Sequence, residues 1–293
     1  MMWRWTCMRI LRIARLMLLA AAGAAMVYPQ SPAPGPQPTP QNVPPPDPAA
    51  LLKTVYENQK QIEATRKDYI FRRKDVEQAL DSQGQVKSTE AREYEVYFVG
   101  PIPIERLVGK DGKPLSEGER RRQEEDVRRQ EAKARARIAK RDAGSPPDKD
   151  ELAIARFLAA DRFFNLRRET NQGREVYAMD FAPRPDFQPH SLSDKVIKSL
   201  GGTIWIDEQA KQVVRLEARL IANLKVAGGL VSSVQKGSNA ILENRFVNNE
   251  LWMPSYTEFH LDARVFLIHR SVNTISTFSD YRKFRVGSKI RVV

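Results

Sequence analysis

Apolar and polar positions follow two different periods along this chain. Leu51, Leu52, Val55, Tyr56 and Ile62 recur at helical spacing, while Lys53, Glu57, Lys60 and Glu63 fall on the other side. That is an amphipathic helix of about four turns, which needs an apolar surface to lie on. Asp47-Pro48 opens it, with an acceptor for the first unpaired amides and then a residue preset for the first helical turn. From Asp68-Tyr69-Ile70-Phe71 onward the period changes to two. Tyr94, Val96 and Phe98 alternate with Glu93, Glu95 and Tyr97, and Ile102 to Val108 continues as a strand. Asp81-Ser82-Gln83-Gly84 and Lys110-Asp111-Gly112-Lys113 are turns between such runs.

Residues Glu117 to Arg141 break the strand pattern, being dense in Arg, Lys, Glu and Gln. Their propensities and their opposite charges three and four apart predict a helix. Its Arg120, Arg121, Arg122, Arg128 and Arg129 form a candidate contact for an anionic surface; a solvated helical excursion is the plainer reading. Gly144-Ser145-Pro146-Pro147 ends it, and a second helix is expected over Lys149 to Phe164.

After the turn Asn171-Gln172-Gly173 the chain reads mostly as strands. Val214, Leu216, Ala218 and Leu220 alternate with Arg215, Glu217 and Arg219, giving one buried and one wet face. Pro183 to Pro189 is a loop and Ser193 to Leu200 a short helix. Strands are expected over 202–207, 229–235, 239–247 and 251–261, with a last one from Ala263 to about Tyr281 after a two-residue turn at Asp262-Ala263. Meandering order and one-sided alternation imply an antiparallel sheet, strongly curved or nearly closed. The class is α+β.

The N-terminus adds an address. Arg4, Arg9, Arg12 and Arg15 lead into Leu16-Met17-Leu18-Leu19 and the small residues Ala20 to Ala25, the layout of a cleaved secretory signal over residues 1–27. An uncleaved inner-membrane anchor is the rival, although the uncharged stretch is short for a bilayer of about 30 Å. Residues 28–48 are proline-rich and read as an extended spacer, which leaves 49–293 as the folded domain, with the helical insertion at about 116–163. The only cysteine, Cys7, lies in the signal, so thiolate chemistry is excluded from the exported protein. The formal charge is +12, of which the signal arginines carry four, leaving about +8 for anionic partners in the envelope. Export sets nucleic acid aside.

Motifs for catalysis are missing. There is no G-x-S-x-G elbow, and Gly228-Gly229 and Lys236-Gly237-Ser238 lack the spacing of a phosphate loop. The three histidines, His190, His260 and His269, show no metal-binding spacing. With the turn at Asp262-Ala263, His260 faces Val265 and His269 faces Tyr256, about 13 Å apart at strand rise, too far to share a metal. Asp207, Glu243 and Glu258 are the carboxylates nearest to apolar neighbours. A turn aspartate and two outward strand glutamates explain them without catalysis. Aromatic residues (Trp205, Phe246, Trp252, Tyr256, Phe259, Phe266 and Phe278) either fill a core or line an apolar cavity.

The run Gly201-Gly202-Thr203-Ile204-Trp205-Ile206-Asp207, continued by Val213-Val214-Arg215-Leu216-Glu217 and later by Leu251-Trp252-Met253-Pro254, resembles the outer-membrane lipoprotein-sorting proteins, the LolA/LolB-like superfamily. The likeness extends over roughly residues 49–293. It implies an unclosed antiparallel β-barrel wrapped around helices, an apolar cavity for a lipid or the acyl chains of a lipoprotein, and a carrier or chaperone that is not an enzyme and uses no cofactor or metal. By alternation alone, Ile206, Val214, Leu216, Leu220, Leu242 and Phe246 are placed on the cavity face. The alternative is a non-catalytic envelope scaffold with a filled barrel core, contacting an anionic membrane surface or other envelope proteins through the basic helix and the proline-rich tail.

Overall fold

A computed structural model describes residues 45–144, 152–226, 232–265 and 268–283. The signal, most of the proline-rich spacer, Phe266 and part of the strand expected over 229–235 lie outside these residues.

Helix α1 (Pro48–Arg66) begins where Asp47 places it. The Asp47 carboxylate accepts from the Ala50 amide at 2.9 Å and its carbonyl from the Leu51 amide at 3.0 Å. Strands β1 (Tyr69–Leu80), β2 (Val86–Val99), β3 (Ile102–Lys110) and the short β4 (Lys113–Pro114) then form a meander. Helix α2 (Glu117–Asp142) follows as a single long helix. Ser116 and Glu119 close a capping box at its start, each side chain bonding the other's backbone amide.

Helix α3 (Leu152–Ala160) is shorter than the sequence predicts. Phe163 and Phe164 belong instead to strand β5 (Asp161–Asn171), paired with Phe181 and Asp180 of β6 (Arg174–Pro183). Aromatic side chains suit a pleated, half-buried surface, and the tertiary pairing with β6 overrides the helical reading. Helix α4 (Leu192–Ile197) precedes β7 (Leu200–Asp207), β8 (Val213–Leu220), the short pair β9 (Leu224–Val226) and β10 (Ser232–Val234), then β11 (Asn239–Val247), β12 (Leu251–Val265) and β13 (Ile268–Lys283).

These thirteen strands form one antiparallel sheet in the order β4-β3-β2-β1-β13-β12-β11-β8-β7-β6-β5, with β10 added to β12 and β9 to β10. The first long strand pairs with the last, from Tyr69 opposite Lys283 to Leu80 opposite Ser271, and this ladder joins the two meanders. The end strands do not meet, so the sheet is curved and unclosed, as expected. Two-residue turns with positive φ at both positions reverse the chain at Asp111-Gly112, Gln172-Gly173 and Asn248-Asn249, which suits the twist of hairpins.

The turn between β12 and β13 corrects the sequence reading. β12 continues through Asp262-Ala263 to Val265, so His260 stands opposite Asn273 and His269 opposite Arg264. Val265 and Ile268 extend the ladder instead of leaving the chain to reverse at a small residue, because each residue added to both strands adds a cross-strand pair.

The free edge of β3 beyond β4 is covered by α2. The Gln130 side chain accepts from the Glu105 amide at 3.1 Å and donates to the Glu105 carbonyl at 3.0 Å, imitating a neighbouring strand. Tyr97 donates to Glu131 at 2.7 Å, Lys110 pairs with Glu119 at 2.5 Å, and Ala134 is buried. Gly100 lets the end of the helix approach: a Cβ there would lie 2.8 Å from Ile138. A charged helix with almost no apolar face thus docks by hydrogen bonds to a strand edge, which also blunts that edge against pairing with other chains.

Candidate functional site

Two faces of the sheet divide the chemistry. One is covered by α1, α3 and α4. Over β6, β7 and β8 this face is an apolar floor of Tyr177, Met179, Ile204, Ile206 and Val213, on which Leu51 and Leu52 of α1 and Leu158 of α3 pack. Asn58 pins α1 over the β7–β8 turn by donating to the Ala210 and Lys211 carbonyls. Arg66, at the far end of α1, stands 5.4 Å from the Phe98 ring on β2. Phe157 of α3 meets Phe163 and Phe181 edge-on, with centroids 5.7 and 5.0 Å apart. Helix α4 covers the next part of the face through Val196, against Leu220, Leu224 and Val234.

Following the same face across β11, β12 and β13 to β1, buried polar side chains enter among apolar ones such as Phe259, Phe71 and Val96. Thr257, Thr274 and Ser276 are buried. Ser276 donates to Asp75 at 2.6 Å, and Arg73, 6% exposed, lies 3.0 Å from Asp75 and 2.5 Å from Glu105. The Arg73 guanidinium also stacks 4.6 Å from the centre of the Tyr94 ring. Burial acts to lower the Arg73 pKa, but Glu105 and Asp75 outweigh it and hold the group charged. Burial and the same carboxylates raise the Tyr94 hydroxyl, so it stays a neutral neighbour.

The opposite face carries a groove of about 620 Å³ over β6, β7, β8 and β11, lined by Phe164, Asp180, Thr203, Glu217, Arg219 and Ile241 among others. Its floor is the backbone at Gly201-Gly202, and a Cβ at Gly202 would overlap the Glu217 carbonyl oxygen. The second glycine of the sequence motif, Gly202, is therefore a steric requirement for β7 and β8 to pack. Asp180 is spoken for by Asn165, Thr203 and Arg167, which together hold its pKa down against the opposing effect of burial.

The six residues placed on the cavity face by alternation separate into several clusters. Ile206 and Leu216 lie in the floor under α1, with Leu216 also touching the cluster of Leu242 and Phe259. Leu220 packs under α4. Val214 and Phe246 lie elsewhere, with Val176, Trp205 and the fully buried Trp252. The cause is a β-bulge: Trp205 pairs with Arg215 and Ile206 with Val213, so Val214 is the extra residue and Val213 takes its place on the floor. A second irregularity sets Glu243 opposite Tyr256 and Asn244 opposite Pro254, skipping Ser255 near Phe246.

The three carboxylates nearest to apolar neighbours in sequence are all satisfied. Asp207 accepts from Arg174 at 2.5 Å and from the Gln209 and Ala210 amides at 2.9 and 2.6 Å, a fully buried turn aspartate. Glu243 pairs with Arg215, and Glu258 accepts from the Tyr256 hydroxyl at 2.6 Å. Among the described residues no group of three His, Cys, Asp or Glu side chains could hold a metal ion. His260 bonds Asn273 at 2.6 Å and lies 3.2 Å from Asp262.

The carboxylate that sequence reasoning missed is Asp161. It is buried, and neither oxygen has a hydrogen-bond partner among the described residues. Burial alone pushes its pKa up to about 7. A partial signal was present: Asp161-Arg162 stands between Ala159-Ala160 and Phe163-Phe164, an apolar setting interrupted by one cation.

The five candidate arginines of α2, Arg120, Arg121, Arg122, Arg128 and Arg129, are all exposed. Arg120 and Arg121 pair with Glu117 and Arg129 with Asp126, whereas among the described residues no ion pair holds Arg122 or Arg128. Among the described residues no helix is long and apolar enough to cross a membrane.

No family model and no curated protein matches the chain. Solved structures do. A DUF1329 family protein from Desulfovibrio piger is 10% identical, with 82% of this chain and 93% of that one covered and a TM-score of 0.33. A putative outer membrane lipoprotein-sorting protein domain from Vibrio parahaemolyticus is 11% identical, with 82% and 94% covered and a TM-score of 0.32. MucB in complex with MucA(peri) is 9% identical, with 82% and 100% covered and a TM-score of 0.20. At these identities and scores the likeness assigns no shared activity.

Proposed function

We propose that this is an exported, non-catalytic envelope protein that binds a lipid, or the acyl chains of a lipoprotein, between its helices and the apolar floor of its sheet. One observation carries the reading: an amphipathic helix, α1, lies on a continuous apolar floor formed by Tyr177, Met179, Ile204, Ile206 and Val213 of an unclosed sheet. Contact of this kind is non-directional, so an acyl chain can replace helix against floor at little cost. The sequence resemblance to lipoprotein-sorting proteins points the same way. Ile206 and Leu216 lie in that floor, and Leu220 and Leu242 extend it under α4 and toward β12. Arg122 and Arg128 on α2 then serve as contacts for an anionic membrane surface, tethered in the periplasm by the proline-rich spacer.

The test is a chain-length series of fluorescent fatty acids. Each added methylene is worth about 0.8 kcal/mol, so affinity rises about fourfold per carbon until the floor is full. Leu216→Glu abolishes the uptake, and hydrogen exchange in residues 48–66 quickens when the probe binds. A folded protein that takes up no probe, or binds all lengths alike, refutes the reading. The envelope scaffold with a filled core would then stand, favoured by the separation of Val214 and Phe246 into their own packed cluster.

A further inference from the structure

Asp161 is an unexplained expense in this fold. It is 3% exposed, and both carboxylate oxygens lack a partner among the described residues. Native proteins rarely leave a buried polar group unsatisfied, and each such group calls for a reason. Its position is informative. It follows Ala160, the last residue of α3, opens β5, and stands opposite Pro183 on β6. By strand alternation it shares a face with Phe163, which packs against the floor under α1. Asp161 therefore sits at the end of the apolar floor, beside the aromatic cluster of Phe157, Phe163 and Phe181.

The cations of the surrounding elements are turned elsewhere. Arg156 of α3 bonds Asp194 at 2.8 Å and Ser191 at 3.3 Å. Arg184, whose amide donates to the Ala160 carbonyl, pairs with Asp186 at 2.8 Å. Arg162 lies 5.3 Å from the Phe164 ring, and Lys198 of the α4 end bonds the Phe187 carbonyl. Among the described residues, no arginine or lysine bonds this buried carboxylate.

We infer that Asp161 is the head-recognition residue of the acyl-binding floor, taking the protonated primary amine of an amphiphile whose chain lies between the helices and the sheet. This rests on the acyl-binding reading above. A protonated amine supplies both the donors and the charge that the carboxylate lacks, and charge-assisted hydrogen bonds are about twice as strong as neutral ones. A carboxylate or phosphate head would be repelled at the same place.

Dodecylamine and dodecanoate, of equal chain length, separate the two ideas. Their affinities are measured by calorimetry below the micellar concentration, on the wild-type protein and on Asp161→Leu and Asp161→Asn. The amine binds the wild-type protein about tenfold or more tighter than the carboxylate. Asp161→Leu removes that preference while leaving dodecanoate binding unchanged or tighter, and raises Tm by about 2–4 °C because the unpaired acid is gone. Asp161→Asn, which keeps the shape and loses the charge, behaves likewise for the amine and serves if the leucine variant does not fold. Equal binding of the two probes to wild type, or an amine preference that survives both substitutions, overturns the assignment and leaves the acyl-binding reading intact. If neither probe binds, the acyl-binding reading itself fails, and the assignment with it.

Discussion

The helix-covered face is built in two chemistries. Over β6–β8 its side chains meet α1 and α3 through carbon, in the floor of Met179, Ile204 and Ile206. Over β13 and β1–β3 the same face adds to an apolar cluster of Phe71, Val96, Phe98 and Phe278 a charged network of Arg73, Asp75, Glu105 and Ser276. Apolar contact has no preferred direction, so its cover can lift and settle again. A buried ion network has one geometry, and removing a member strands the rest in a low dielectric. The difference makes the β1–β3 half the more directionally fixed of the two, and on the proposed function the β6–β8 half is where a ligand would enter. Helix α2 braces the β1–β3 half, since Gln130 bonds the backbone of Glu105, whose carboxylate holds Arg73.

The most severe way to break that contrast is Arg73→Ala. It leaves the buried Asp75 and the part-exposed Glu105 without the Arg73 cation and should cost about 3–5 kcal/mol in a urea titration. The folded fraction should still bind acyl probes with unchanged affinity. A loss in binding as large as the loss in stability would show that the two halves are not separate. Met179→Ala acts on the other half and is expected to cost about 2–5 kcal/mol. Unlike the first, it should weaken acyl binding in the folded protein, read by the same probe titration.

The smallest effect is also the most local. Asp161 has its folded pKa raised to about 7 from an ordinary 3.8, so between these values the folded state holds a proton that the unfolded chain has released. Its contribution to stability is therefore greatest below about pH 4 and is lost as pH rises through 7. Carboxylates with depressed values act in the opposite sense. Glu119, lowered to about 2 by its hydrogen bonds to Lys110 and Ser116, stabilises above its ordinary 4.5 and fails as the pH falls through 2. Between pH 5 and pH 8 the Asp161 effect stands clear, and wild-type stability should drop by about 2–3 kcal/mol. In Asp161→Leu that slope should disappear; a slope that persists in the variant would assign it to another group.

What the sequence determined by itself is whatever rests on neighbours in the chain. The Asp47 cap, the amphipathic spacing of Leu51, Leu52 and Val55, the period-two run of Tyr94, Val96 and Phe98, and the Asp111-Gly112 turn all depend on a few adjacent residues, and each is where the pattern puts it. The unclosed antiparallel sheet follows from many such strands in meandering order. Only the tertiary structure decided the pairing of β1 with β13, since the Asp75–Ser276 bond joins residues 201 positions apart in the sequence. It also decided the bulge at Val214: one extra residue changes the face of a side chain, and the sequence of β8 alone does not show what β7 does beside it. The isolation of Asp161 is of the same kind. An acid between alanines and phenylalanines is visible in the chain, but its burial and lack of a partner depend on where Arg156, Arg162 and Arg184 turn. Periodicity is a property of one strand, whereas register, burial and charge pairing are properties of the strands and helices packed together.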